Sequence, residues 1–361
     1  MELKRVVKEI LEDKIVLIYA FNGTGKTRLS VEYKQYTKEA NNNEHAGVYY
    51  NAYSEDLFQW DNDEENDNSN IKLNIVSSNL NKHHSYIIEA PQKLQDYLNK
   101  YYARFYFSLN YDETEYYEKG IESVSFYLDE EKTTPIKISR GEERIFIWCF
   151  FLTLFEVSTF AEERNSHIFI DDPVSSLDEH NIHITASTIM NVVESNYDKK
   201  KLIITTHHAG LFSILIDRLR KASGSDKFRN ITKTYILNKN SDGEVTLSKF
   251  GHDVFLFHLH LYKMMQDNIT TAKETNVLYS YNFVLLRQLL ENIASFHGKS
   301  GVFSYALSKI GIEEPSEIVN LINEQSHKDV YYYQTSIMSQ NQREAFEDIM
   351  QKITTTYKFH I

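Results

Sequence analysis

Apolar residues recur along this chain in two rhythms. Short unbroken runs at Lys14–Ala20, His167–Ile170 and Lys201–Thr205 predict strands buried on both faces. Gly47–Asn51 reads as a further strand. Tyr101–Leu109 and Ile121–Leu128 alternate and are rich in Tyr, Phe and Val, which predicts strands as well. Longer patterns from Lys26, over Glu142–Phe160 and over Asn181–Ser195 predict helices. Asp61–Asn70, acidic and Asn-rich, reads as an exposed loop. From Gly251 onward the pattern turns mostly helical and holds six of the chain's 14 histidines. A boundary is expected near residue 250, giving domains 1–250 and 251–361. Strands alternating with helices in the first domain imply an α/β fold with a largely parallel, doubly wound sheet. Such a sheet binds ligands at the carboxyl ends of its strands.

Composition narrows the class. The 361 residues are 42% hydrophobic, enough for a sizeable core. One cysteine, Cys149, cannot build a disulfide framework, which fits a reducing compartment. The apolar run Ile145–Phe155 around it falls short of the roughly 20 residues a membrane helix needs. Met-Glu-Leu-Lys-Arg leads into no signal-peptide core. A soluble cytoplasmic protein with no membrane partner is expected. The net charge of -12 argues against a protein that coats nucleic acid with a basic surface. It leaves room for a nucleic acid held in one local groove.

The chemistry concentrates at strand ends. Ala20-Phe-Asn-Gly-Thr-Gly-Lys-Thr27 has the spacing of a phosphate-binding loop, with Ala20 in place of the first glycine. Backbone N–H groups of Asn22, Gly23, Thr24, Gly25 and Arg28 can cradle phosphates at a helix N-terminus. Lys26 would reach the β- and γ-phosphates, and Thr27 would hold Mg²⁺. His167-Ile-Phe-Ile-Asp-Asp172 supplies carboxylates: Asp171 for the Mg²⁺ shell, and Asp172 to orient or deprotonate the attacking water. Either motif alone could be a chance turn or a polar strand end; their co-occurrence makes that reading improbable.

Ile138-Ser-Arg-Gly-Glu-Glu143 looks like the signature motif of the ABC ATPase superfamily, with Ser139, Gly141 and Glu142 at a helix start. Pro173-Val-Ser-Ser-Leu-Asp178 resembles its D-loop, and Thr205-Thr-His207 its switch histidine. Gln59 is a candidate for the Q-loop glutamine, or equally a surface residue. The resemblance implies an ABC-type P-loop NTPase domain that uses Mg²⁺ with ATP or GTP. It also implies self-association of such heads, as a dimer or tetramer, because the signature of one subunit closes the site of another. The interval from Thr27 to Ser139 carries no sustained heptads, so no long coiled-coil arm is expected.

A closer resemblance covers most of the chain. Leu17–Ser30, Tyr50–Asp63 and Phe169–Asp178 are similar to segments of the PrrC-type anticodon nucleases. So are His258-Leu-His260, Leu285-Leu-Arg287 and Ala294-Ser-Phe296, beyond the ATPase. That family cleaves tRNA, typically lysine tRNA, in the anticodon loop through an Arg, a Glu four residues later and a distant His. The resemblance places these at Arg287, Glu291 and His327. An RNA 2′-OH can attack its own phosphate without a metal if a Glu and a His divide the proton transfers. An Arg can stabilise the phosphoryl charge. Which of Glu291 and His327 is acid and which is base stays open. Residues 287 and 291 share one helix face, which would otherwise read as a solvated Arg–Glu pair. His297 is a nearer rival to His327. His258 and His260 lack a third partner at zinc-ligand spacing, so no zinc is expected. Asp253 is a candidate base contact or a helix N-cap. Phe255 and Phe257 are candidates for stacking on bases or for core packing. The resemblance also implies anti-phage defence, a type I restriction–modification complex as partner and dTTP as a stabilising ligand. The competing reading is an ABC-type ATPase without nuclease activity that scaffolds a separate defence or DNA-repair effector.

Overall fold

Ile15–Tyr19, five consecutive buried apolar residues, form the strand β1 on which the first unit is built. The computed structural model describes residues 2–156, 166–173, 179–220, 227–239, 244–250, 257–297, 299, 303–313, 315–327 and 336–359. The chain divides into two units, Met1–Val254 and Phe255–Ile361.

The strands of the first unit are β1, β2 (Gly47–Tyr50), β3 (Phe58–Asp61), β4 (Lys72–Ile75), β5 (Tyr106–Asn110), β6 (Ser123–Tyr127), β7 (His167–Asp171), β8 (Lys201–Thr206), β9 (Thr232–Lys239) and β10 (Val245–Lys249). Its helices are α1 (Glu2–Ile10), α2 (Lys26–Ala40), α3 (Ala52–Glu55), α4 (Ser85–Glu89), α5 (Pro91–Lys100), α6 (Tyr116–Lys119), α7 (Arg140–Phe155), α8 (Glu179–Asn196) and α9 (Ala209–Arg220). One sheet has six strands in the order β10-β9-β1-β8-β7-β2. All its pairings are parallel except β10 with β9. The expected parallel α/β sheet is therefore present, with one antiparallel edge.

Two features differ from the sequence expectation. The first is α1, whose Leu3, Val6, Val7 and Ile10 fall at helical spacing and are buried against β1, β9 and α2. The second is a separate antiparallel sheet in the order β3-β4-β6-β5. Its strand β5 begins only at Tyr106, because Tyr101 caps α5 instead of starting a strand. The Tyr101 hydroxyl accepts from Trp148 Nε1 at 2.9 Å in the core.

The second sheet exists to cover α7. From Ile145 to Phe155 that helix is buried all round, so one layer of neighbours cannot suffice. Phe126 of β6 meets Phe146 at 4.9 Å, and Phe58 of β3 meets Phe150 at 5.4 Å. On another side Tyr50 of β2 meets Trp148 at 4.9 Å. The chain's 25 Tyr and 21 Phe find much of their use in this layer. Cys149 is buried in it, and burial pushes its thiol up, which makes it unreactive.

The second unit holds α10 (Phe257–Thr275), α11 (Tyr281–Phe296), α12 (Phe303–Lys309), α13 (Pro315–His327) and α14 (Gln340–Tyr357). Helix α11 is central: it packs against α10, α12 and α13, and its Phe283 meets Phe346 of α14 at 5.5 Å. Among the described residues no helix is long and apolar enough to cross a membrane.

Two buried histidines make the first unit sensitive to acid. His167 on β7 bonds the Tyr49 hydroxyl at 2.5 Å and the Ser166 hydroxyl at 2.6 Å. Its ring fills the space beside Gly47, where an added Cβ would lie 2.2 Å from Nε2. His84 Nδ1 accepts from Ile121 N at 3.2 Å. Burial lowers both imidazoles to about 3. Between pH 6.5 and about 3 the unfolded chain binds these protons and the folded one does not, so stability falls as pH falls through that window. A His167→Gln variant should shrink the loss of unfolding free energy between pH 7 and pH 5 by about 2 kcal/mol. Denaturant titrations at the two pH values measure this; an unchanged loss would mean that His167 is protonated in the fold.

Candidate functional site

The parallel order β1-β8-β7 brings three strand ends side by side. Tyr19 pairs with Thr206, and Thr205 with Asp171. Ala20 N donates to Thr206 O at 3.0 Å, which locks the start of the phosphate loop to the end of β8. Gly23 and Gly25 adopt φ of 80° and 108°, a region that favours glycine. Gly25 is the N-cap of α2, and nothing lies within 4 Å of a Cβ built at either glycine. The loop thus turns tightly with its backbone accessible, as a phosphate cradle requires. Asn22, Gly23 and Arg28 are exposed, and Thr24 is half-buried with its hydroxyl on Phe21 O at 2.6 Å.

Lys26 is only 7% exposed. Its ammonium donates to Ala20 O at 3.2 Å, Phe21 O at 3.3 Å and Asn22 Oδ1 at 3.3 Å, and lies 3.7 Å from Asp172 Oδ2. Burial lowers its pKa, while Asp172 and Asp171 oppose that. Thr27 Oγ1 donates to Asp171 Oδ2 at 2.8 Å, and Thr205 Oγ1 donates to Asp171 Oδ1. A hydroxyl and a carboxylate in contact, at the end of a strand, fit the all-oxygen donor set that Mg²⁺ takes. Burial pushes the Asp171 carboxyl above its usual range against these two hydroxyls.

Asp172 follows at φ 54°, a left-handed conformation unusual for a residue with a side chain. Its N–H donates to Thr205 O at 2.9 Å. Its Oδ1 accepts from His207 N at 3.2 Å and Thr206 Oγ1 at 3.3 Å. Burial works to raise this carboxyl, yet the His207 bonds and charge together with Lys26 hold it below the usual range. An ionised carboxylate only accepts, so His207 Nδ1 donates to Asp172 Oδ2 at 2.5 Å. That places a proton on Nδ1.

The signature segment starts α7 with a capping box. Ser139 Oγ accepts from Glu142 N at 3.3 Å and donates to Glu142 Oε2 at 2.7 Å. Gly141 has open space where a Cβ would be, so this helix N-terminus can be approached closely. Three links tie it to the phosphate loop's own helix, and the sequence pattern does not announce them. Asn51 Nδ2 donates to Ser30 Oγ of α2 at 3.0 Å. Glu55 lies 3.6 Å from Arg144, and Trp60 Nε1 donates to Glu143 Oε2 at 2.9 Å. Gln59, on β3 and exposed, donates to Asp56 O at 3.5 Å and is not brought to the phosphate loop. Pro173 is described; Val174–Asp178 of the candidate D-loop lie outside the described residues.

A second cluster lies in the helical unit. Leu286, Leu289, Leu290 and Ile293 are buried on α11, which leaves Arg287 and Glu291 half-buried on another face. Arg287 Nε donates to Glu291 Oε1 at 2.8 Å, and Nη1 donates to Asn323 Oδ1 of α13 at 3.3 Å. The guanidinium lies 5.5 Å from the Phe303 ring of α12. His327 ends α13 one turn beyond Asn323; its side chain lies outside the described residues, as does Asp253. Asn323 and Phe303 carry no mark in the sequence beyond Asn323 preceding His327 by one helical turn. His297 caps the end of α11 and faces Phe296 and Tyr305 instead of Glu291. His258 and His260 lie on α10, where residues two apart point to different faces. Burial lowers the His260 pKa to about 4.

The fold and the first cluster define a phosphate-loop nucleoside-triphosphatase domain joined to a helical unit. The chain matches the family model of an AAA domain over residues 61–354. It is 32% identical over 319 residues to an anticodon nuclease of Escherichia coli, with 79% of this chain and 75% of that protein covered. The chain belongs to the anticodon-nuclease family with an AAA-type ATPase domain. Among solved structures it is similar to an Smc head bound to the C-winged helix domain of ScpA, at a TM-score of 0.34 and 10% identity, covering 65% of this chain and 90% of that one.

Lys26→Ala should lower NTP turnover by about 100-fold or more, because among the described residues its ammonium is the one bonded to the loop carbonyls of Ala20 and Phe21. Steady-state phosphate release measures this. Turnover equal to wild type would relocate the site away from residues 20–27.

Proposed function

We propose that this chain is an NTP-gated endoribonuclease that cleaves tRNA in the anticodon loop. Support for the family comes from the 32% identity to the Escherichia coli anticodon nuclease. The observation that carries the chemistry is the α11–α13 junction, where Arg287 reaches both Glu291 and Asn323 one turn before His327.

In the reaction the 2′-oxygen attacks the adjacent phosphorus and the P–O5′ bond breaks. Glu291 and His327 between them take the 2′-OH proton and protonate the leaving 5′-oxygen. Arg287 stabilises charge on the phosphoryl oxygens, with Asn323 and the Phe303 ring fixing its orientation. The products are a 2′,3′-cyclic phosphate and a 5′-OH end, with no metal required for the proton transfers. Lysine tRNA is the proposed substrate, with Asp253 as a base contact.

In the head, Asn22–Arg28 hold the phosphates of ATP or GTP. Thr27 and Asp171 hold Mg²⁺, which neutralises phosphate charge when bound. Asp172 orients the attacking water, and His207 fixes that carboxylate. Ser139, Gly141 and Glu142 meet the nucleotide of a second head, so the active form is a dimer or a higher even assembly. Anti-phage defence, a restriction–modification partner and dTTP stabilisation belong to the same proposal.

The test is to express wild type and Arg287→Ala, and to map tRNA ends together with their chemistry. Wild type should yield anticodon-loop breaks with 5′-OH ends, and Arg287→Ala should reduce them at least 100-fold. Equal cleavage by both proteins would remove Arg287 from the mechanism. Hydrolysis of NTP with no tRNA breaks, under every nucleotide condition, would favour the scaffold reading.

A further inference from the structure

The negative charge of the chain leaves a difficulty for any RNA-binding reading. From residue 231 onward acidic residues slightly outnumber basic ones, so affinity cannot come from a broad basic surface. One end of the helical unit offers another source. His297 at the end of α11 meets Phe296 edge-on at 5.8 Å and Tyr305 of α12 at 5.8 Å. A second group of rings lies at the end of α14. Tyr357 stacks on Phe359 at 5.5 Å and 9°, and Phe359 meets His258 of α10 at 5.9 Å. The rings thus form two groups, one on α11 and α12 and one on α14 and α10.

The first group is not an ordinary core edge. Phe296 is 90% exposed, more than any other large hydrophobic residue described in the chain. Leaving it in water forgoes most of what burying a phenyl ring contributes. His297 is exposed, while Tyr305, Tyr357 and Phe359 are half-buried, so ring edges or faces reach solvent in both groups. The arrangement of Phe359 is actively held: Lys358 caps α14 in a left-handed conformation at φ 47°, which folds the chain back so that Phe359 lies on Tyr357. The Tyr357 hydroxyl is shielded from solvent and hydrogen-bonds to no described residue.

An ammonium group accompanies the first of these groups. Lys309 places its ammonium 5.4 Å from the Tyr305 ring centre, and Lys299, two residues beyond His297 in the chain, is exposed. Flat rings interleaved with ammonium groups suit unpaired bases on a phosphate backbone. They suit an apolar protein partner poorly, since the lysines would be desolvated unpaired. The location is also apt. Helix α12 receives the Arg287 guanidinium on Phe303 and carries Tyr305 about 3 Å and Lys309 about 9 Å further along at helical rise.

We propose that Phe296, His297 and Tyr305 form a stacking platform for unpaired bases of single-stranded RNA on the two helices that carry Arg287 and Phe303. The proposal rests on the RNA-cleaving reading, and its test separates the two. The probe is a seven-nucleotide single-stranded RNA with 2-aminopurine at one position, titrated into the full-length protein. Stacking should quench the probe. Phe296→Ala should weaken binding about tenfold, the scale of one lost base stack, and Phe296→Trp should restore it. Phe296 is so exposed that neither change threatens the fold. Tyr102, 70% exposed in the first unit, provides the control, and Tyr102→Ala should bind as wild type.

Binding by Phe296→Ala within twofold of wild type overturns the platform. So does an equal loss in Tyr102→Ala, which would make the effect a general one of exposed rings. A Phe296→Ala protein that binds RNA normally but self-associates less would identify a protein interface and overturn it too. Phe296-dependent binding without tRNA cleavage by wild type would support the platform and count against the nuclease. Arg287-dependent cleavage with Phe296-independent binding would do the reverse.

Discussion

Two adjacent carboxylates at the end of one buried strand are the constraint around which the first unit is arranged. Left side by side in a shielded site, Asp171 and Asp172 would repel and one would protonate. The structure separates their surroundings instead. Asp171 is met by two hydroxyls, from Thr27 and Thr205, and burial moves its pKa up. Asp172 turns away through a left-handed backbone into Lys26 and His207, which move its pKa down. These partners come from two neighbouring strand ends: Lys26 and Thr27 follow β1, and Thr205 and His207 lie at the end of β8. The arrangement therefore needs β1, β8 and β7 parallel and adjacent, in a register that sets Tyr19 beside Thr206 and Asp171 beside Thr205.

Much of that was legible in the chain. Residues 20–27, 171–172 and 205–207 each end an unbroken apolar run, and runs of that kind predict strands buried on both faces. The second sheet was harder to read because β3 and β4 are only four residues long. Their alternation is lost among the Asp and Asn of the intervening loop. The signal that betrays this sheet lies elsewhere, in α7, whose apolar residues leave no face for water from Ile145 onward. Helix α1 illustrates a different limit. Its stripe of Leu3, Val6, Val7 and Ile10 is plain once sought, but a sequence scanned for signal peptides does not ask for it.

The helical unit divides in the same way. Arg287 and Glu291 share a helix face, and spacing alone brings them together. Their order is the less stabilising one for an isolated helix, so the pair is better explained by what else Arg287 holds. Asn323 and Phe303 are those partners, and they come from two other helices. No local pattern could have named them, because tertiary packing alone chooses which turn of α13 faces α11. The group of Phe296, His297 and Tyr305 was invisible for the same reason: packing alone brings α12 to the end of α11.

The links between the phosphate loop and the signature helix give the first unit a way to act as one body. Asn51 grips Ser30 on α2, whose hydroxyl in turn donates to Thr27 O at 2.8 Å. Four residues on, Glu55 meets Arg144, and Trp60 meets Glu143, both in the first turns of α7. The segment from Asn51 to Trp60 is thus anchored at both ends in elements that touch nucleotide phosphates in the proposed assembly. Lys26 stands at the origin of this path, holding two carbonyls, Asn22 and Asp172. Under the proposed function a γ-phosphate in the loop would compete for that same ammonium, leaving Asp172 with His207 and the loop carbonyls without this donor, before any second subunit is involved.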